Sequence, residues 1–276
     1  MTLRVLAIIQ ARMRSSRLPQ KVMLDIAGKP MLQRVIERTA RAHRVSDVVV
    51  ATTRDADEDP IAALCHKLGV ACYRGSLQDV LDRYYRCAQP YQPDVVVRIT
   101  SDCPVIDPGL IDETIQALTG NPGKNDLWMP QGDPLTYRSP THPEIPWDFA
   151  ATRLPPPWHR TFPIGLDVEA CTFPALGIAW REASAQHERE HVMPYLYQVP
   201  GQFRCFIGSY SEDLGSQRWT VDTSSDLEMI RGVYAKLGTE NFDWLDVLKV
   251  VREHPELSAI NADVQHKSYL DVDTRK

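Results

Sequence analysis

Short runs of β-branched residues alternate with longer amphipathic segments from residue 1 to residue 120, and this alternation constrains the fold more than any other feature of the sequence. It is typical of βαβ units, in which helices connect the strands of a parallel sheet. The strand candidates are RVLAIIQ, DVVVATT, VACY and DVVVRIT. The segments between and after them predict helices, including one with Pro30 in its first turn and one that stops at Gly69. We therefore expect a doubly wound α/β sheet.

The sequence changes in character from Asn121 to Gly165, where Pro and Trp are frequent and RLPPPWHRTFP occurs. Because Pro removes a backbone donor and restricts its neighbours, we expect no regular structure in this excursion. Such a long loop is typically a lid or a contact segment, here for an acceptor or a dimer partner, and the alternative is a disordered insert. Beyond it, PALGIAWREAS, HEREHVMPYLYQV, SSDLEMIRGVYAKLG and residues 242–253 predict helices, whereas RCFIGSY and RWTVDT predict strands. We expect one domain over residues 1–276.

The charge balance and the apolar runs exclude several classes of protein. A net charge of -5 disfavours a broad nucleic-acid-binding surface, so any anion site must be local. The apolar run from Val5 to Ile9 is too short for a signal peptide, and no run approaches the roughly 20 apolar residues that span a bilayer. We expect a cytoplasmic protein without a membrane or nucleic-acid partner. The 6 cysteines form no CxxC pair, so we expect most of them to be small buried hydrophobes.

A cluster of cations follows the first predicted strand directly. The stretch IIQARMRSSRLPQK contains Arg12, Arg14, Arg17 and Lys21. In open parallel sheets, ligands bind outside the carboxyl ends of the strands. Arg offers planar multidentate donors and Lys a point charge, so this loop suits a polyphosphate, whereas the alternative is a solvated basic turn. The loop contains neither GxxxxGK[ST] nor GxGxxG.

Acidic residues occur at two other predicted strand ends. Asp102 follows DVVVRIT and suits Mg²⁺, which prefers oxygen ligands. Asp107, before a proline, is better explained as a helix cap. Asp222 lies in RWTVDTSSDLEMI, before a helix whose expected cap is Ser224 or Ser225. Taken alone, Asp222 is either a turn residue or a ligand.

Three further motifs each have two interpretations. In GLDVE, Asp167 and Glu169 would face one side if the segment is a strand, either toward the acceptor or metal or on an exposed sheet face. In REHV, Arg189 and His191 contact an acceptor or a neighbouring subunit, or belong to a capped, salt-bridged helix. The DAD motif at Asp55–Asp57 is similar to the metal motif of glycosyltransferases, but its place before a helix favours a stabilised helix N-terminus.

The stretch IIQARMRSSRLPQKVMLDIAGKPML resembles the signature loop of the nucleotidyltransferases that include the cytidylyltransferases for acylneuraminate and 3-deoxy-manno-octulosonate. The segments VVVATTRDADED, YRGSLQDVLDRYY, VVVRITSDCPVIDP, PIGLDVEA, REHVMPYLY and RWTVDTSSDLEMI also match, in the family's order and over nearly the full chain. The resemblance is strongest to the relatives described as spore-coat polysaccharide biosynthesis proteins of the F type. These motifs specify the family better than they specify the acceptor.

The resemblance implies a Rossmann-like, glycosyltransferase-A-type nucleotidyltransferase fold with three layers, a mostly parallel sheet and a Pro-rich insertion. It implies transfer of CMP from CTP to an acidic sugar or a related small acid or phosphonate, with release of pyrophosphate. It further implies Mg²⁺ as cofactor and a homodimer. Two alternatives are a glycosyltransferase that consumes a nucleotide sugar and a non-catalytic nucleotide-binding member of the family.

By position, the resemblance assigns phosphate binding to Arg12, Arg17 and Lys21 and metal binding to Asp102 and Asp222. The complete candidate sets are wider. The catalytic set is Arg12, Arg17, Lys21 and Asp102, and the metal ligands are Asp102 and Asp222. The nucleotide-binding set is Gln10, Ala11, Arg12, Met13, Arg14, Ser15, Ser16, Arg17, Lys21, Thr52, Arg74, Thr100 and Ser101. The acceptor set is Asp167, Glu169, Arg189 and His191.

Two positions depart from the family pattern. Relatives usually carry Gly where this chain has Arg14, and commonly Gly where it has Gln20. A side chain at either position either clashes with a phosphate or demands an unfavourable φ. Alternatively, Arg14 adds a phosphate donor.

Overall fold

The computed structural model describes residues 3–120, 128–130, 140–155 and 158–265. The strands in these ranges are β1 (Val5–Gln10), β2 (Asp25–Ile26), β3 (Lys29–Pro30), β4 (Asp47–Thr53), β5 (Ala71–Gly75), β6 (Val95–Thr100), β7 (Trp128–Pro130), β8 (Phe149–Ala151), β9 (Glu169–Thr172) and β10 (Cys205–Gly208). All but β2 and β3 form one sheet, in the order β5-β4-β1-β6-β9-β8-β10-β7.

The helices are α1 (Met31–Thr39), α2 (Asp59–Leu68), α3 (Val80–Ala88), α4 (Pro108–Leu118), α5 (Phe173–Glu182), α6 (Gln186–His191), α7 (Pro194–Tyr197), α8 (Ser224–Leu237), α9 (Trp244–Glu253) and α10 (Pro255–Ala259). No helix in the described part of the chain combines the length and the apolar character needed to cross a bilayer.

The sheet reverses its strand order beside β1. The chain runs from β1 outward to β4 and β5, and then returns to place β6 on the other side of β1. These four strands are parallel, so their carboxyl ends share one edge, where a ligand crevice forms at such a reversal. This arrangement confirms the doubly wound, mostly parallel α/β sheet.

Helices cover both faces of the sheet. Along β1, Val5, Ala7 and Ile9 pack into the core that includes residues of α1, α2 and α4, whereas Leu6 and Ile8 pack into the core with α3 and α5. A strand buried on both faces lacks the apolar-polar alternation of a half-exposed strand. Burial on both faces explains the continuous apolar run of β1. The sheet with helices on each face makes three layers. Of the six cysteines, five are buried and none forms a disulfide.

The expectation that the Pro-rich excursion holds no regular structure is wrong. It contains β7 and β8, and β8 lies inside the sheet between β9 and β10. Phe149, Ala150 and Ala151 are fully buried, so an apolar triplet between prolines suffices for a strand. Residues 121–127, 131–139 and 156–157 of the excursion lie outside the described ranges.

Three local predictions also need correction. RWTVDT is not a strand, because only Arg218 pairs there, in an isolated bridge with Ile164. HEREHVMPYLYQV forms α6 and α7 rather than one helix, since Val192 adopts a φ of 73° between them. Helix α8 is capped by Thr223, whose side chain accepts from the backbone N–H of Asp226.

Other predicted helix boundaries lie close to the observed ones. Asp107 caps α4 and accepts from the Leu110 N–H at 2.9 Å, which confirms its structural role. Gly69 ends α2 with a φ of 68°, the left-handed conformation that favours glycine. Pro30 lies just before α1 rather than within its first turn.

Candidate active site

The cationic loop starts at the carboxyl end of β1 and closes on itself. Its first residue, Ala11, donates its N–H to the Ala51 carbonyl on β4 at 3.2 Å. Further along, the Gln20 N–H donates to the Met13 carbonyl at 2.9 Å. A short 3-10 turn then starts at Lys21. The loop is therefore anchored over the strand ends.

A buried carboxylate that the sequence analysis missed supports this loop. Glu58 is 1% exposed, and its Oε2 accepts from the Met13 N–H and from the Thr52 hydroxyl, each at 2.9 Å. Arg74 binds Asp59 at 2.6 Å on the neighbouring turn. Thr52 and Arg74 thus support the loop and the adjacent turn, and their contact with a nucleotide stays a prediction.

The centre of the site is an ammonium group between two carboxylates. Lys21 Nζ donates to Asp102 Oδ2 at 3.0 Å, to Asp222 Oδ1 at 2.9 Å and to the Val221 carbonyl at 2.9 Å. Burial alone would lower the pKa of Lys21, but Asp102 and Asp222 outweigh it and raise the pKa. The structure therefore brings the end of the cationic loop and both predicted metal ligands to one point.

Asp222 is surrounded by cations. Its Oδ2 forms an ion pair with Arg17 at 2.8 Å and accepts a hydrogen bond from Arg218 at 2.8 Å, while Lys21 binds the other oxygen. Burial would raise the pKa of Asp222, but these cations, Lys21 first, hold it well below its ordinary value. The carboxylate is therefore ionised at neutral pH.

Backbone contacts explain why two residues so distant in sequence meet. The Asp102 carbonyl accepts from the Val221 N–H and from the Thr220 hydroxyl, both at 2.9 Å. The chain segment before α8 is thus hydrogen-bonded to the turn after β6. This places the side chain of Asp222 beside that of Asp102.

Arg218 is another residue that the sequence analysis missed. It binds Asp222 Oδ2, whereas Lys21 binds Oδ1. Its Nε donates to Asp226 Oδ1 at 2.9 Å, and that oxygen also accepts from Asn261 at 2.9 Å. Asp226 is fully buried, and although burial would raise its pKa, its bonds from Arg218 and Asn261 lower it. The spacing of four residues from Arg218 to Asp222 and on to Asp226 was the available sign of this arrangement.

The other predicted loop residues occupy different environments. Arg14 forms a salt bridge with Asp57 at 2.8 Å, with both side chains more than half exposed. Arg12 is partly buried. The Thr100 hydroxyl lies 3.3 Å from Cys103 Sγ. Further loop and strand-end residues of the predicted set are placed as follows: Ser15 is partly buried, Ser16 is exposed and Ser101 is buried.

Gln20 adopts the left-handed conformation that glycine would favour, with a φ of 58°. We expect Gln20→Gly to raise the free energy of unfolding by about 1 kcal/mol, because a side chain in this conformation crowds the backbone. Urea denaturation measures the change. As a control, Gln33→Gly within α1 should lower stability by about 1 kcal/mol. A loss of stability in both variants would show that Gln20 is not strained.

Asp167 is partly buried between two guanidinium groups, with its side chain 12% exposed. It accepts from Arg160 at 2.6 Å and from Arg153 at 3.1 Å. Burial would raise the pKa of Asp167, but the two arginines, Arg153 first, hold it well below its ordinary value. The alternative of an exposed sheet face is therefore wrong for Asp167. Its role toward an acceptor stays a prediction.

Backbone pairing brings this ion-pair cluster to the segment before Asp222. The Ile164 N–H donates to the Gln217 carbonyl at 2.8 Å, and the Trp219 N–H donates to the Ile164 carbonyl at 2.7 Å. Gly165, with a φ of 108°, lies so close to Trp219 that a Cβ would be 2.6 Å from its carbonyl carbon. The cluster around Asp167 therefore adjoins the segment that carries the second aspartate.

Glu169 is also buried, in an ion pair with Arg98 across the register of β6 and β9. Arg98 Nε donates to the Gln10 side chain at 3.1 Å, so it links the carboxyl end of β1 to Glu169. An exposed sheet face is therefore excluded for Glu169 as well. Gln10, a predicted nucleotide-binding residue, is held by this arginine.

Arg189 and His191 lie on α6. Arg189 binds both carboxylate oxygens of Asp79 at 2.5 and 3.0 Å, and it also donates to the Trp180 carbonyl at 2.6 Å. His191 is half-buried at the end of the helix. The salt-bridged helix is thus confirmed, and contact with an acceptor stays a prediction.

The depressed carboxylate pKa values predict acid sensitivity. Asp167 and Asp222 both have folded pKa values below the ordinary value, so their stabilisation is complete above that value and is lost as pH falls through the folded pKa. We expect the urea midpoint to fall as pH is lowered from about 5 toward about 2. A midpoint that is constant over this range would contradict the prediction.

A control separates these partly buried carboxylates from an exposed carboxylate. Hydrogen bonds from Lys29 and Arg34 lower the pKa of Glu240 to about 2, but Glu240 is exposed. Exposed ion pairs contribute little stability, so Glu240→Gln should retain the acid sensitivity of the parent protein.

The carboxylates at the centre fit one kind of metal site. The described residues contain no group of three or more His, Cys, Asp and Glu that would enclose a metal ion. Mg²⁺ commonly takes one or two protein carboxylates and completes its shell with water and substrate phosphates. Asp102 and Asp222 therefore suit Mg²⁺ that enters with a phosphate ligand.

Known proteins share this sequence and fold. The cytidylyltransferase family profile matches residues 6–236. The spore coat polysaccharide biosynthesis protein SpsF of Bacillus subtilis is 30% identical over 241 residues, which cover 85% of this chain and 88% of SpsF. A 3-deoxy-manno-octulosonate cytidylyltransferase of Geobacter sulfurreducens is 43% identical over 120 residues, 43% of this chain and 46% of that protein.

The solved structure of a cytidylyltransferase from Leptospira borgpetersenii is similar over 96% of this chain and 100% of that chain, with 28% identity and a TM-score of 0.80. With the family profile, it confirms the α/β nucleotidyltransferase fold that the motifs implied. This chain belongs to the cytidylyltransferase family of enzymes.

Proposed function

We propose that this cytidylyltransferase transfers CMP from CTP to an oxygen of a small acidic acceptor, which is an acidic sugar or a related acid or phosphonate, and releases pyrophosphate. The observation that carries the proposal is the convergence of Lys21 and Arg17 on Asp102 and Asp222. These groups meet at the carboxyl ends of parallel strands, where open α/β sheets bind ligands.

The cations of the loop would bind the triphosphate. Arg12 and Arg17 offer planar donors to phosphate oxygens, and Lys21 offers a point charge. When an oxygen attacks phosphorus in line, the protein contributes mainly positioning and charge stabilisation. These cations would stabilise the charge that develops on the leaving pyrophosphate.

Asp102 and Asp222 would hold Mg²⁺, and Arg218 would keep Asp222 in place. When bound, Mg²⁺ supplies charge neutralisation at the phosphates. The Asp222 carboxylate is kept ionised and oriented by its ion pairs with Arg17, Lys21 and Arg218. This arrangement needs no covalent protein intermediate.

Two features support an acidic acceptor. Arg153 and Arg160 share the single carboxylate of Asp167, which leaves an excess of positive charge in this partly buried cluster. The cluster adjoins the segment that carries Asp222 through the bridge between Ile164 and Arg218. The related protein of Geobacter sulfurreducens is named for its action on 3-deoxy-manno-octulosonate, an acidic sugar.

One assay tests the proposal. The purified protein is incubated with Mg²⁺, each of the four nucleoside triphosphates and a panel of keto-deoxy acid sugars, phosphosugars and phosphonates. We expect pyrophosphate release that requires both CTP and one acidic acceptor, with a CMP-linked product in the mass spectrum. Release of a nucleoside diphosphate from a nucleotide sugar would instead indicate a glycosyltransferase. Binding without turnover across the panel would indicate a non-catalytic member.

A further inference from the structure

The ammonium of Lys21 fills the point on which the two aspartates converge. Each of its three N–H donors has an acceptor at 2.9 to 3.0 Å, one each from Asp102, Asp222 and the Val221 backbone. Lys21 is only 9% exposed. The ammonium lies between the two carboxylates, where a divalent ion shared by them would bind.

A divalent ion and this ammonium compete for the same oxygens. Mg²⁺ binds oxygen at about 2.0 to 2.1 Å, whereas the Asp102 and Asp222 oxygens lie 3.0 and 2.9 Å from Nζ. An ion that both carboxylates coordinate would therefore lie within a few ångströms of Nζ, where like charges repel. A divalent ion shared by both aspartates would therefore have to displace the ammonium.

The charges at the centre explain when this exchange is favourable. Lys21 and Arg17 balance Asp102 and Asp222, and the charge of Arg218 is balanced by Asp226. A divalent ion arriving alone thus meets a neutral site and must displace a hydrogen-bonded cation. A triphosphate brings negative charge that accepts the ammonium and at the same time completes the shell of the metal.

We propose that Lys21 is an internal counter-ion of the metal site, which is exchanged for the divalent ion when the triphosphate binds. The inference rests on the proposed function, because it uses the same loop and the same aspartates. The long, flexible Lys side chain lets Nζ move from the carboxylates to phosphate oxygens without unfolding the turn. It follows that metal and triphosphate bind cooperatively, each strengthening the binding of the other.

The test measures metal binding without turnover. Mn²⁺ replaces Mg²⁺ as the probe, and free Mn²⁺ is counted by electron paramagnetic resonance in a titration of the full chain. We expect Lys21→Met to bind Mn²⁺ alone at least tenfold more tightly than the parent protein, because the competing ammonium is gone. The same variant should bind inorganic tripolyphosphate more weakly.

Lys29→Met is the matched control. Lys29 also binds two carboxylates, those of Glu37 and Glu240, at 2.8 and 2.7 Å, but it lies outside the site. Because Arg34 and Arg41 remain paired with Glu240, loss of Lys29 should leave Mn²⁺ affinity unchanged. Equal Mn²⁺ affinity in the parent protein and a folded Lys21→Met variant would overturn the proposal.

A second measurement on the parent protein decides the question if Lys21→Met does not fold. The melting temperature is recorded with Mn²⁺, with tripolyphosphate and with both. We expect the joint shift to exceed the sum of the separate shifts, whereas a full shift with Mn²⁺ alone would contradict the exchange. Both measurements are independent of CTP turnover, so a protein that shows the exchange but uses no CTP would refute the proposed function alone.

Discussion

Asp102→Asn is expected to lower kcat/KM for CTP by about 10² to 10³-fold, the loss typical of removing one charge-stabilising contact from an active site. The substitution keeps the size of the side chain but removes its charge and one proposed metal ligand. It also turns an acceptor of the Lys21 ammonium at 3.0 Å into a neutral group. Pyrophosphate release at saturating acceptor measures the effect.

Asp112→Asn is the matched control for Asp102→Asn. Asp112 lies on α4 and accepts from the backbone N–H groups of His43 and Arg44, away from the strand ends that carry the site. We expect its removal to leave kcat/KM unchanged. The thermal midpoint of both variants separates lost chemistry from lost folding. Full activity of a folded Asp102→Asn variant would refute the assignment of Asp102 as a metal ligand.

The location of the site could be predicted because it depends on two local patterns. The alternation of strands and helices fixed which ends of the strands meet, and Arg17 and Lys21 follow the first strand directly. Asp102 follows the fourth strand in the same way. The general rule for open parallel sheets then brings these residues to one crevice.

The place of Asp222 could not be derived from local pattern. The predicted strand before it does not exist, and its position depends on the bonds of Val221 and Thr220 to the Asp102 carbonyl. Such backbone pairing between distant segments leaves no periodicity in the sequence. The family resemblance supplied this residue.

Glu58, which supports the loop, and strand β8 were missed for a related reason. Glu58 resembles an ordinary acidic helix start, and only its contact with Met13 shows that it holds the loop. Strand β8 has just three residues among prolines, so neither length nor alternation distinguished it. In both cases, burial by distant segments decided the outcome.

Glu169→Gln is expected to lower the free energy of unfolding by about 3 to 5 kcal/mol, because breaking a buried ion pair leaves an uncompensated charge. Arg98 and Glu169 are 9% and 3% exposed. Burial would lower the pKa of Arg98, but Glu169 outweighs it and raises the pKa. Equilibrium urea denaturation measures the loss. The exposed pair of Glu212 and Arg252 offers a control, since Glu212→Gln should cost much less.

The double variant Arg98→Met/Glu169→Leu separates a structural role of Glu169 from a role in acceptor binding. Replacing both members of a buried ion pair with apolar residues is often neutral, so we expect most of the stability lost in Glu169→Gln to return. If Glu169 also contacts the acceptor, the stable double variant will still show a raised KM for the acceptor. If its role is confined to the pair with Arg98, the double variant will regain stability and will have the acceptor KM of the parent protein. Parent-like stability of Glu169→Gln would contradict the ion-pair argument, since the charge of Arg98 would then be tolerated without its partner.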